Sequence, residues 1–168
     1  AMAGGSGNPD VLNAIAAMSS GAFYTIVMAW TDTANLAAME NELKSRWGGM
    51  DMRAGHVFGQ LSGTYSAVDT IGQGRNSPHS TLFALKKCPT LPWVVAAQAA
   101  AAVEFSGSND PALPFRGIYL PDVLAPVEAD RYIATERNQL LHDGISTFYV
   151  DVDGGVYIEQ VVTTYQVD

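Results

Sequence analysis

Between residues 23 and 105, apolar runs alternate with stretches of helical period, and this alternation restricts the chain to a narrow set of folds. Residues 23–30 form a continuous apolar run bounded by turn signals, the pattern of a strand covered on both faces. Asp32 is placed to cap a helix in which Leu36, Met39, Leu43 and Trp47 recur at three-to-four spacing, with Glu40, Glu42 and Lys44 between them. Gly48-Gly49 ends it. Residues 52–60 read as a second strand, 66–73 as a short helix carrying Val68 and Ile71, and 81–85 as a third strand. Thr90 and Pro92 open a helix over 93–105, whose alanines at 96–97 and 99–102 allow close packing on a sheet. The order β-α-β-α-β-α predicts parallel strands joined by right-handed crossovers. The expected class is α/β, with a small, mainly parallel sheet of about three strands drawn in a flavodoxin-like or Rossmann-like way.

The flanks differ. Asn8 can cap an N-terminal helix with Pro9 in its first turn; Val11, Leu12, Ile15 and Met18 are its buried positions, and it stops near Gly21. Residues 109–126 hold four prolines and no helical period, which predicts an extended segment. A helix follows over 127–142, burying Tyr132, Ile133, Leu140 and Leu141 and ending at Gly144. Asp153-Gly154-Gly155 lies between the apolar runs 147–152 and 156–165, a strong hairpin signal. The division expected is a tag or disordered start (1–8), an α/β domain (9–108), and a Pro-rich segment, helix and hairpin (109–168). Ala1-Met2-Ala3 reads as a cloning scar before an internal start, so a fragment of something longer is expected.

Composition removes several classes of function. With 168 residues, 48% of them hydrophobic, the chain can bury a core of its own. Its formal net charge is −8 and its nine basic residues are dispersed, which argues against nucleic-acid binding. The richest apolar stretch, 93–103, is too short and alanine-rich to span a bilayer, and no signal peptide opens the chain. The single cysteine, Cys88, excludes an internal disulfide and a Cys-based zinc site.

Short chemical motifs point nowhere. Gly72-Gln73-Gly74 follows a helix instead of a strand and lacks the third glycine of a dinucleotide loop, so it reads as a helix end. His56, His79 and His142 have unrelated spacings, none of them the i, i+4 of a helical metal site. No Gly-x-Ser-x-Gly elbow is present. Cys88 reads as a small packed hydrophobe, and Trp47 as core. Asp151 and Asp153 flank the hairpin tip, where one turn supplies too few ligands for tight calcium binding. A small-molecule enzyme on this layer would need a pocket near Thr31-Asp32 or residues 60–63, but the sequence places no acid–base pair there. No catalytic residue, metal site or cofactor is expected.

An ordered set of motifs in the second half is more specific. It runs Arg75-Asn76, Ser77-Pro78, Pro92-Trp93 with the alanine-rich helix, Asp110-Pro111-Ala112 with Pro114, and Leu120-Pro121-Asp122-Val123-Leu124-Ala125-Pro126. Glu136-Arg137-Asn138-Gln139-Leu140-Leu141 and Asp143-Gly144-Ile145-Ser146-Thr147 follow, and the set closes on Gly155-Val156-Tyr157-Ile158-Glu159-Gln160-Val161-Val162-Thr163-Thr164-Tyr165-Gln166. In this order the chain resembles the middle region of the contractile tail sheath protein of Mu-like bacteriophages and prophages. At the position of Gln160 that family commonly carries arginine.

The resemblance implies a non-enzymatic structural subunit. It would form hexameric rings with other sheath subunits around a tail tube, assembled on a baseplate, and contract to drive the tube through the host envelope. Neither nucleotide nor cofactor is implied. The location implied is the virion tail, with assembly in the host bacterial cytoplasm; R-type bacteriocins and secretion systems use related sheaths. The family continues past the position of Asp168 into a C-terminal domain that exchanges strands with neighbours, so the fragment alone is expected to be monomeric. Candidate lattice contacts are Asp110, Pro111 and Arg116 in the Pro-rich segment, and Asp151 and Asp153 at the hairpin.

Overall fold

The computed structural model describes residues 7–166. The expected start segment therefore lies mostly outside the described residues; within them, the Asn8 side chain donates to Asp32 Oδ1. The elements run α1 (Leu12–Met18), β1 (Thr25–Val27), α2 (Thr33–Arg46), β2 (His56–Leu61), α3 (Tyr65–Gln73), β3 (Ser80–Ala84), α4 (Pro92–Asn109) and β4 (Ile118–Leu120). A 3-10 turn (Glu128–Asp130), α5 (Ala134–His142), β5 (Ile145–Val150) and β6 (Val156–Gln160) complete them. No helix of the described residues is long and apolar enough to cross a membrane.

The mixed α/β class, the mainly parallel sheet and the C-terminal helix and hairpin are all present, but the sheet is wider than the three strands drawn from sequence. It has six strands in the order β1-β2-β3-β5-β6-β4. The first four are mutually parallel, and β6 and β4 are antiparallel additions. The parallel strands follow one another in a single direction, so the strand order never reverses. That separates this sheet from flavodoxin-like and Rossmann-like sheets, where a reversal opens the ligand crevice.

Each strand divides its side chains between two cores because successive residues point to opposite faces. Val57, Leu61, Leu82, Ala84 and Ile145 meet Leu36, Met39 and Leu43 of α2, Val68 of α3 and Leu140 of α5. Phe58, Phe83, Phe148, Val156 and Ile158 meet Val95, Ala99, Ala100 and Val103 of α4 on the other face. The alanines let α4 lie close to three phenylalanines, with Phe83 ring centroids 6.3 Å from Phe58 and 5.4 Å from Phe148. Every residue of β3 is buried, as its central position between β2 and β5 requires.

Several local expectations differ. The run 23–30 yields an edge strand of three residues with Phe23, Tyr24, Val27 and Trp30 exposed, not a strand covered on both faces. Trp47 is 55% exposed. The stripe of α2 passes instead to Arg46, whose guanidinium is buried by donating to Glu42, Gly21 O and Ser19 O. Residues 127–142 hold a 3-10 turn and then a nine-residue helix, with Ile133 exposed before its first turn. Asp32 does cap α2, accepting from the Asn35 N–H. Thr90 does not cap α4, which opens on Leu91 and Pro92; the Thr90 hydroxyl accepts from Leu124 N–H. Within the Pro-rich segment, residues 118–120 form β4 because they pair with β6.

Candidate functional site

The two ends of the motif series, residues 75–80 and 161–166, are brought together by a buried polar network. Arg75 is 7% exposed and donates to Glu40 Oε2 at 2.6 Å and to Thr33 O at 3.1 Å. Ser80 Oγ donates to Glu40 Oε1 at 2.7 Å. Ser80 Oγ and the Thr164 hydroxyl share a hydrogen bond of 2.7 Å, and the Thr164 oxygen also lies 3.1 Å from Ser77 O. Thr164 is fully buried; its hydroxyl accepts from Ser77 N–H, and its own N–H donates to Ser80 O. The Gln166 N–H donates to Asn76 Oδ1, and its side-chain amide donates to Gly72 O and Asp143 O. This latch ties the terminal strap to α2, β3, α3 and the end of α5.

Two glycines make room for the latch. A Cβ on Gly72 would stand 2.7 Å from Asp143 O, so its place late in α3 has a packing cause, and the Gly72-Gln73-Gly74 run forms the end of that helix. Gly144 adopts φ +74° against the backbone of Thr163 and Thr164.

The candidate contact residues fall at opposite ends of the β4–β6 ribbon. Asp110, Pro111 and Arg116 are exposed on the segment that leaves α4, where Val161 N–H donates to Phe115 O. The Asp110 carboxylate accepts from Ala112 N–H. Asp151 and Asp153 are exposed on the β5–β6 turn, closed by Gly154 N–H to Asp151 O with Gly154 at φ +82°. Val152, between them, is 96% exposed. Beside this turn, Tyr157 stacks on Tyr149 at 5.2 Å and contacts Tyr119 at 5.0 Å. Burial, then the Asp151 carboxylate, raise the Tyr157 phenol.

A groove of about 520 Å³ opens beside the end of α4, at Gly107 and Ser108. Phe58, Val103, Phe115, Val161 and Val162 give it an apolar lining, and His56 and Glu104 also border it. His56 shares a hydrogen bond with Thr81 Oγ1 at 2.9 Å, and burial lowers its pKa to about 4, so the ring is neutral near pH 7. Glu104 is engaged by the Thr25 hydroxyl.

The cleft at residues 31–32 and 60–62, where an enzyme of this class would work, is about 300 Å³. Its one ionisable lining residue is Asp32, committed to Asn8 and Asn35. Those hydrogen bonds, the one from Asn8 foremost, hold its carboxyl below the usual range. Cys88 is half-buried against the α4 core and donates to Leu124 O. His142 lies in the last turn of α5. No cluster of three metal-ligating side chains occurs among the described residues.

Sequence reasoning missed the latch as a unit. Arg75, Ser77 and Thr164 fall within the quoted motifs, but nothing local announces that residues some 90 positions apart share hydrogen bonds.

Comparisons with known proteins converge on one family. Residues 4–164 match the family described as phage tail sheath protein central domain. The chain is 33% identical over 165 residues to the Mu-like prophage FluMu tail sheath protein of Haemophilus influenzae, covering 98% of this chain and 34% of that protein. Its fold is similar to the crystal structure of a sheath tail protein from Desulfitobacterium hafniense, with TM-score 0.62 and 18% identity, over 97% of this chain and 37% of the other. The chain thus spans about a third of the length of each of these relatives.

Proposed function

Because the chain belongs to the phage tail sheath family, matching its central domain, we propose that it serves as a structural subunit of a contractile tail. In this role it polymerises with other sheath subunits as rings around a tail tube, on a baseplate, and the assembled sheath shortens to drive the tube through the host envelope. The work comes from the difference between two sets of subunit interfaces, so the subunit needs no nucleotide. The setting is the virion tail, with assembly in the host cytoplasm. Residues 109–168 then lead from the α/β body, residues 9–108, toward a further C-terminal domain, and Asp110, Pro111, Arg116, Asp151 and Asp153 contribute lattice contacts.

The buried latch is the observation that carries this role. A subunit that exchanges one set of neighbours for another has to move as a body. The last described segment is tied by Thr164, Ser80 and Gln166 to α2, α3 and β3, so displacement of the strap carries the sheet with it. Negative-stain electron microscopy of the full-length protein tests the role. Striated tubes or stacked rings are expected at high concentration; dispersed particles at every salt and concentration would refute it.

A further inference from the structure

We infer that the junction of α3 and α5 is a proton-operated clamp on the terminal strap, in which Asp69 takes up a proton and donates it as a hydrogen bond to the Asp143 carboxylate. The clamp belongs to the single chain and does not depend on the assembly role. Two carboxyl groups meet here across two helices. Asp143 stands against Gly72, about one turn beyond Asp69 in α3: a Cβ at Gly72 would lie 3.4 Å from Asp143 Cβ. The Asp69 and Asp143 side chains are in hydrogen-bonding contact. Each has one oxygen satisfied from its own helix, Asp69 Oδ2 by the Gln73 amide at 3.0 Å and Asp143 Oδ2 by the Gln139 amide at 3.1 Å. The other Asp69 oxygen, Oδ1, is closed off from water and meets no donor among the described residues. A proton carried on Oδ1 supplies the missing hydrogen bond, with the Asp143 carboxylate as its acceptor.

No cation is among the groups that act on Asp69. Burial, then the hydrogen bond and charge of Asp143, raise its carboxyl above the ordinary 3.8, and Tyr65 alone opposes them. Glu136 adds negative charge beside Tyr65. His142 borders a separate cavity with Tyr165 and Gln166, and Arg75, past the end of α3, is committed to Glu40. The sign follows from the raised carboxyl. The protonated clamp stabilises the fold at acid pH, and this contribution is lost as the pH rises through the folded value and leaves two like charges at the junction. The strap feels the change because the Gln166 side-chain amide bridges the same two helix ends, donating to Gly72 O at 3.0 Å and to Asp143 O at 2.6 Å. It reaches both only while the ends of α3 and α5 stay together. Repulsion between ionised Asp69 and Asp143 works against that seat, and a proton between them secures it.

Hydrogen exchange of the Thr164 and Gln166 amides, corrected for the intrinsic rate, reads the clamp in the full chain between neutral pH and about pH 4. Protection should rise severalfold on acidification. In Asp69→Asn the new amide donates to Asp143 at every pH, so protection should be high already at neutral pH and independent of pH, with a Tm above that of the parent. Asp143→Asn supplies the donor from the opposite side and should do the same, so either variant alone decides if the other misfolds. His56 titrates over the same range with the opposite sign, but alike in every variant, and cancels in the difference. Glu136→Gln, which keeps an acceptor for the Ile133 N–H, should leave the parent's pH dependence intact. Protection that does not change with pH in the parent would overturn the clamp. So would Asn variants that are both less stable than the parent at neutral pH, Asn variants that keep the parent's pH dependence, or an equal loss of that dependence in Glu136→Gln.

Discussion

Removing Glu40 from beneath Arg75 should be one of the most costly single changes available outside the apolar cores. The Arg75 and Glu40 side chains are 5% and 13% exposed, and their atoms are 2.6 Å apart. Glu40→Leu leaves a buried guanidinium donating to Thr33 O with no carboxylate beside it, and it removes the acceptor of the Ser80 hydroxyl. Breaking one side of a buried pair costs about 3–5 kcal/mol, chiefly through the uncompensated charge. Against a typical domain stability of about 5–15 kcal/mol, that is a large fraction. For a chain of this size it lowers Tm by about 10 °C. Arg75→Met should cost a similar amount. The double variant Glu40→Leu/Arg75→Met should lose much less than the sum, because no isolated charge remains. Urea unfolding of the four proteins gives the cycle directly, read as midpoint shifts at constant slope. The reasoning is refuted if either single variant costs under about 1 kcal/mol, or if the double equals the sum of the singles.

Other predictions follow from the sheet. Phe83→Ala, at the fully buried centre of the phenylalanine row, should destabilise by about 3–5 kcal/mol in the same unfolding assay. His56 gives a pH dependence of defined sign. Its folded pKa, about 4, lies below the unfolded value of 6.5, so the unfolded state binds the proton first. Stability is full above pH 6.5 and declines as the pH falls toward 4, by up to about 3 kcal/mol. His56→Gln should flatten the stability profile between those values, and an unchanged slope would show that the ring is not buried neutral.

Much of the fold was readable where the signal is local. Asp32 caps α2 because a carboxylate three residues before the Asn35 N–H needs nothing from the rest of the chain. The Asp-Gly turn places the β5–β6 hairpin for the same reason. Trp47 misled because hydrophobic periodicity does not see where a helix ends: Trp47 is the C-cap of α2, beyond its last packed turn. β4 was hidden because three residues become a strand only when β6, nearly forty positions later, supplies their partners. The width of the sheet failed for the same cause. The latch was the least legible part, since Ser77, Ser80 and Thr164 are ordinary hydroxyl residues until the fold excludes water from them. Of the candidate contact residues, the exposure of Arg116, Asp151 and Asp153 agrees with expectation, while their separation to opposite ends of one ribbon appears only in three dimensions.

The position of β3 sets an order in time. It is buried on both faces, yet its neighbour on one side, β5, begins at Ile145, and the hydroxyl that completes Ser80 arrives with Thr164. On a ribosome, β3 is made some sixty residues before the strand that covers its edge and more than eighty before its last hydrogen-bond partner. Throughout that interval the nascent chain carries a bare apolar edge at Thr81–Ala84 and a half-built polar network around Glu40, the kind of surface that recruits other chains. Closure is therefore a late step joining distant segments, slow because of the loop it must close. Until then, the subunit can neither hide its own central strand nor offer a finished ribbon to a neighbour.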